Sequence, residues 1–458
     1  MESGTLHRLI RVVRKALTEL GHPLPLPALE PTCVIIHRIM NYQTRQFHTI
    51  RHVFGFLDSD TDAHTALAAV FHDLVYFQVD DGIPPVLHDL CYEYILLKEG
   101  QVFLRTDHPS DQLFGLCLQI FGFAEGQALH ILGGLNEFLS ALLFLRMMGD
   151  TLPTRDLVAV AVCIEASIPF RGVNSSGRQV HEELSLRLAT LQGLGSGLTS
   201  AEIHAFVARA IGFANRDVND FQLPEPGVFL NNTWKLMPET NPALRFPGTF
   251  TVKEYRVALT KMLGFFRYLK PENIFHWAPG LKLDLDGMTA RARNNLAIAM
   301  GYLEAKLLAV SLLEALALVT GGDAPLSLFM GDIAHGDEEF ATIEKFLPPA
   351  GRPAWLDVTH PVFHLLAVGR VEESNFDLKN SPLAEFLYVS LEPEAREKLL
   401  PRMNEFFAGT LWPQAYLELW PTTAPKAVFH ACAQIVSTRQ DELEAWASRD
   451  WPATSASN

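Results

Sequence analysis

The 458-residue chain predicts an all-α fold, and three features of its sequence predict it. Apolar residues recur at three- and four-residue intervals in one segment after another, as in Leu67, Val70, Phe71, Leu74 and Val75, which puts them on one face of a helix. Helix-boundary chemistry brackets these segments. Thr199 with Glu202 makes a capping-box pattern, Gly321 and Gly322 with Pro325 read as a helix C-terminus, and Pro425 falls where a first helical turn tolerates proline. Hydrophobic residues are 48% of the chain, enough for a sizeable core, and the length allows two or three domains or one large helical domain with a satellite.

Composition narrows the function classes. A formal charge of −15 argues against a nucleic-acid duplex or other polyanion, whose binding rests on clustered Lys and Arg releasing counterions. A small phosphorylated substrate is compatible, because it needs only a metal and a local pair of Arg residues. The five cysteines, Cys33, Cys91, Cys117, Cys163 and Cys432, are scattered with no CxxC pair, which suits a reducing, cytoplasmic setting and small buried hydrophobes rather than a disulfide framework. The N-terminal stretch interleaves Arg and Lys with apolar residues and reads as an amphipathic first helix, not a signal peptide. The apolar run Leu307 to Thr320 contains Glu314 and is too short for a bilayer, so no transmembrane segment is expected.

After a segment broken by Pro23, Pro25, Pro27 and Pro31 comes the stretch with the strongest chemical signal, Arg45 to Phe77. His48 and His52 stand four residues apart, one turn above the other on a helix, which is metal-ligand spacing. An acidic turn at Asp58, Asp60 and Asp62 separates them from a second helix and offers it N-capping chemistry. His72 and Asp73 lie inside the apolar run of that second helix. A carboxylate buried there stays charged only with a cation or a dense set of hydrogen bonds, and a metal meets that need best.

The stretch resembles the HD superfamily of metal-dependent phosphohydrolases. It is most similar to the branch whose first motif is Arg-x-aromatic-His-x-x-x-His, here Arg45, Phe47, His48 and His52, and whose second is Phe-His-Asp-x-x-Tyr, here Phe71, His72, Asp73 and Tyr76. Cyclic-nucleotide phosphodiesterases share the paired first motif. The resemblance implies an HD-like helical bundle in which His52, His72 and Asp73 bind a divalent metal and His48 faces the leaving group as an acid. It also implies a last, distant Asp ligand.

Downstream, Gly82, Pro84 and Pro85 end this region, and a second His-Asp pair, His88-Asp89, follows at what reads as a helix start. Helical patterns run through Asp111 to Phe123, Ala128 to Met148 and Leu157 to Phe170. The last of these holds Glu165-Ala166-Ser167, loosely similar to an Ile-x-Ala-Thr segment of the family, and leads to Arg171 in a Gly/Asn/Ser-rich loop. Arg45 and Arg171 are the expected substrate contacts. Between Thr199 and Phe221, Ile203, Phe206, Val207, Ala210, Ile211, Ala214 and Val218 form one stripe, with Asp217 along it and Asp220 as its competitor. The family segment resembles Asp-x-Asp-hydrophobic, which assigns the last ligand to Asp217 and leaves Asn215 where an Asp would stand. Arg216 reads as a solvated neighbour.

The resemblance covers roughly Arg45 to Phe221. Residues 1–223 form the expected metal-binding domain, 224–250 an extended linker or lid, 251–447 a helical C-terminal domain and 448–458 a disordered tail. In the C-terminal domain the expected helices are Val252 to Leu269, Met288 to Val319, Leu326 to Phe346, Pro361 to Val368, Pro382 to Phe407 and Pro425 to Ala447. The implied chemistry is hydrolysis of a phosphomonoester or phosphodiester on a small or nucleotide substrate. Mn, Fe, Co, Zn or Mg all suit the mixed N/O ligands. Two alternatives keep the fold. One is a di-iron oxygenase drawing on His88, His108, His130, His181 or His204, and the other is a non-catalytic nucleotide sensor.

Overall fold

A computed structural model describes residues 4–191, 197–331, 341–349 and 351–451. Helices account for 61% of the chain and strands for 3%, so the fold is all-α. It divides into two compact units, Met1–Gln222 with Leu269–Ala292, and Leu223–Tyr268 with Arg293–Asn458. The sequence divides at 223 and 251, whereas the structure counts 223–250 in the second unit and returns Leu269–Ala292 to the first.

In the first unit α1 (Thr5–Glu19) buries Leu9, Val13, Ala16 and Leu17, a stripe at helical spacing, and α2 (Leu26–Ile39) buries Leu29, Cys33 and Ile36 against it. A short α3 (Ile50–Gly55) precedes α4 (Ala63–Phe71), whose N-cap Asp62 accepts from the backbone of His64 and Thr65 as the acidic turn predicts. Every residue of α4 but His64 is buried. His64 instead meets Asp156 at 2.8 Å, tying α4 to the later helix that carries Asp156. After α5 (His88–Cys91), a hairpin of β1 (Ile95–Lys98) and β2 (Gln101–Leu104) turns at Glu99 and Gly100, both with positive φ. Then come α6 (Gln112–Phe121), β3 (Ala128–Leu129), α7 (Leu135–Met148), α8 (Thr154–Ala166), α9 (Val180–Ala189) and α10 (Ser200–Asp217). The mutually packed α4, α7 and α8 are apolar on nearly all faces because other helices surround them.

One sequence expectation fails here. Ala128 does not begin a helix. It pairs with Phe103 in the small sheet, and α7 starts only after Gly134, whose φ of 97° and close approach to the Ile168 side chain exclude a Cβ. The Gly/Asn/Ser-rich loop after Arg171 forms as expected and leads into α9, which opens on a Gln179–Glu182 capping box. The Thr199–Glu202 box also forms as predicted at the start of α10.

In the second unit, Pro226–Trp234 and Leu236–Thr240 are helical where an extended connection is expected. Pro226 stands in the first turn, where no N–H is required, so the proline that suggests a loop is compatible with a helix start. Helices Val252–Tyr268, Leu285–Val319 and Pro361–Ala367 follow the predicted pattern. By length and composition alone Leu285–Val319 is long and apolar enough to cross a membrane, and 67% of its most apolar window is buried within the protein. Pro393 splits the helix expected over Pro382 to Phe407 into Pro382–Ser390 and Pro393–Phe407. The one expected over Pro425 to Ala447 divides into Ala424–Ala433 and Gln440–Ala447. The expected Leu326 to Phe346 helix stops at Met330, its middle lies outside the described residues, and so does most of the predicted tail. All five cysteines are unpaired and buried.

Candidate metal centre

Three helix ends in the first unit bring the predicted ligands together. His52 comes from α3, His72 and Asp73 from the C-terminus of α4, and Asp217 is the last residue of α10. The segment after α4 is held in place by α7, where Ser140 Oγ accepts from Val75 N (3.1 Å) and Asn136 Oδ1 from Phe77 N (2.9 Å). These bonds replace the helical ladder that ends at His72, so the chain turns sharply while its side chains stay fixed.

Nε2 of His72 lies 3.1 Å from Asp73 Oδ2 and 3.7 Å from Asp217 Oδ1. Nε2 of His52 lies 3.7 Å and 3.3 Å from the same two oxygens. His52, His72 and Asp217 each offer a ligand atom within 4.8 Å of the others, the one such group among the described residues. His72 Nδ1 donates to the Ala69 carbonyl at 3.0 Å, which fixes the ring's orientation and turns Nε2 inward. His52 Nε2, His72 Nε2 and Asp73 Oδ2 are all buried without a hydrogen-bond partner. Three orphaned atoms converging on one point carry a desolvation penalty that a single cation removes, so the donor set fits a divalent metal.

The electrostatics agree. Burial works to neutralise His72, but Asp73 and Asp217 lift its imidazole well above the usual value. Burial likewise opposes the Asp73 charge, yet His72, His48 and His52 hold that carboxyl below the ordinary range, and the two imidazoles do the same for Asp217. Two buried carboxylates held ionised by imidazoles are a site that recruits positive charge. Aromatic walls exclude water. Phe56 meets His52 edge-on at 5.1 Å, Phe213 meets His72 edge-on at 5.5 Å, and the two phenyl rings stack at 5.2 Å. His48 stacks on Tyr76 at 4.0 Å, and its ring centre is 6.0 Å from that of His52, close to the 5.7 Å between the rings of His52 and His72.

Both predicted substrate arginines are corrected. The Arg45 side chain is fully buried, forked onto Asp80 and bonded to the carbonyls of Asp73 (2.7 Å) and Leu74 (3.3 Å), so it braces the turn that carries Asp73. Arg45→Met would leave Asp80 buried and unpaired. A stability loss of about 3–5 kcal/mol is expected in urea denaturation. Unchanged stability with a raised KM would restore its role as a substrate contact. Arg171 returns onto Glu165, bonding Oε1 (2.7 Å), Oε2 (3.2 Å) and the backbone carbonyl, while Arg187 holds the same carboxylate at 2.8 Å. His88 caps the Ile83 carbonyl. Asn215 exchanges hydrogen bonds with the His276 backbone, and Arg216 fastens the Phe56 carbonyl beside the acidic turn.

Glu137 was missed. It lies in the first turn of α7 with Oε2 buried and unpartnered, and burial first, then the charges of Asp73 and Asp217, push its carboxyl up to about 8. Its signal was the one that flagged Asp73, a lone carboxylate in an apolar helix. A folded pKa above the unfolded value near 4.5 means that this group's contribution to stability is lost as pH rises through about 8. In chelator, wild-type stability should therefore fall between about pH 6 and pH 9 by on the order of 2 kcal/mol more than that of Glu137→Gln, as followed by denaturation at each pH. Equal slopes would show that Glu137 is ordinary. Comparison of the chain with family models, curated proteins and solved structures found no match.

Proposed function

We propose that the protein is a divalent-metal-dependent phosphohydrolase of HD type, acting on a small phosphorylated or nucleotide substrate. One observation carries the reading: His52, His72 and Asp217 offer ligand atoms within 4.8 Å of one another, with Asp73 Oδ2 3.1 Å from His72 Nε2 and three of the atoms there buried without a hydrogen-bond partner. These four residues would hold the ion. When bound, it acidifies a coordinated water and neutralises phosphate charge.

The rest is the work of the chain's own groups. His48, which lies in the bend before α3 and not on the helix expected to carry it with His52, carries the proton that the leaving oxygen needs, and the Tyr76 ring stacks on it. Phe56 and Phe213 keep bulk water from the ligand imidazoles. Glu137, whose carboxyl burial and the charges of Asp73 and Asp217 push up to about 8, holds a proton near neutral pH, which suits a proton carrier at the same centre. Hydrolysis is favoured over oxygen activation by two of the extra histidines. His88 is committed to Ile83, and His108 lies 2.8 Å from the Pro109 carbonyl and 3.1 Å from Glu125.

The test is phosphate-ester hydrolysis by protein stripped with chelator and reloaded with Mn, Fe, Co, Zn or Mg in turn. Activity that vanishes on stripping and returns with a metal is expected. Hydrolysis that ignores chelator, or full metal loading with no hydrolysis of any mono- or diester, removes the proposal.

A further inference from the structure

Within the second unit a cavity of about 320 Å³ abuts a buried charge cluster that its own partners leave positive. Lys306 Nζ bonds both oxygens of Asp377 (3.2 and 2.9 Å) and Ser381 Oγ (3.1 Å). Arg370 bonds the same Asp377 (3.1 Å) and the Tyr302 hydroxyl (3.2 Å), and Trp234 Nε1 adds a third donor to it at 3.0 Å. Two buried cations thus share one carboxylate, and the surplus charge is cushioned by the rings of Trp234, Tyr255 and Tyr302, each 5.5 to 5.7 Å from Nζ. A buried surplus cation is costly and calls for an anion.

Two groups face that call. Lys306 lines the cavity and brings the surplus charge to its wall, its ammonium shared between the two Asp377 oxygens and Ser381 Oγ. Tyr255 also lines it, and its hydroxyl is buried without a hydrogen-bond partner. Asp377 and Ser381 line the same end with a few other polar residues, and most of the remaining wall is apolar, including Phe250, Val310, Leu313 and Phe376. The size is that of a small-molecule site, with a few convergent polar groups at one end and hydrocarbon elsewhere.

We propose that this cavity binds a monoanionic amphiphile, a carboxylic acid with an apolar body, whose carboxylate accepts from Lys306 Nζ and the Tyr255 hydroxyl. A single surplus charge matches a carboxylate, and the apolar walls match an alkyl chain. The site lies wholly in the second unit and does not depend on the metal chemistry proposed for the first.

Calorimetric titration of the full chain with decanoate and with decan-1-ol, in chelator so that no metal ion competes for the carboxylate, tests this. Decanoate should bind about 10- to 100-fold more tightly than the alcohol, the range of a charge-assisted hydrogen bond. Lys306→Gln should erase that ratio. Because this variant touches a buried ion pair, Ala309→Trp, which fills the cavity and leaves the charge cluster intact, serves as the second arm and should abolish binding of both. Equal affinity for acid and alcohol, no binding of either by the wild type, or undiminished decanoate binding by Ala309→Trp would overturn the proposal.

Discussion

Asp217→Ala is expected to strip the metal from the purified protein while Asp220→Ala keeps it. Asp217 Oδ1 lies 3.3 Å from His52 Nε2 and 3.7 Å from His72 Nε2, so removing it deletes a ligand atom that touches both imidazoles. Asp220 lies beyond the end of α10, on the one-turn helix Asn219–Gln222. Loss of an outer partner of a metal site costs about 10–100-fold in affinity, and loss of a ligand should exceed that. Metal content and titration with Mn decide between the two variants. If Asp220→Ala alone loses metal, the last ligand is wrongly assigned.

His48→Asn should keep the metal and lose most turnover on esters with alkoxide-like leaving groups. Activated aryl esters should suffer far less, because a phenolate of low pKa departs without a proton. General acid catalysis contributes about 10² to 10⁴-fold, so the gap between substrate types should be of that size, about 3–5 kcal/mol in barrier. His48, stacked on Tyr76, is not one of the group His52, His72 and Asp217, and that is the distinction this test reads. His52→Asn, by contrast, should slow both ester types alike, since it removes an imidazole from the metal cluster. Metal loss in His48→Asn, or an equal slowing of both esters, would return His48 to a ligand or structural role.

That His52, His72 and Asp217 belong to one group was legible because each stands in or at the end of an apolar run, and periodicity says which face a residue shares. The roles of Arg45 and Arg171 were not legible. Both stand beside the motifs, but their partners Asp80 and Glu165 are set by chain turns that no local pattern encodes, and a buried fork onto a carboxylate looks in sequence like a free guanidinium. Glu137 was missed because its closeness to Asp73 and Asp217 is a tertiary fact. The hairpin Ile95–Lys98 and Gln101–Leu104 was missed because four-residue strands are too short to establish an alternation. The helix Pro226–Trp234 was missed because proline in a first turn carries the same letter as proline in a loop.

The central claim, that His52, His72, Asp73 and Asp217 hold a divalent ion, is tested most directly by the metal stoichiometry of the purified protein beside that of His72→Ala. His72 is the ligand for the comparison because its Nδ1 is already bound to Ala69, so only Nε2 faces the centre. After stripping and dialysis against Mn, elemental analysis should find bound metal in the wild type and almost none in a folded His72→Ala. Metal-free wild-type protein under those conditions, or equal metal in the two, would contradict it.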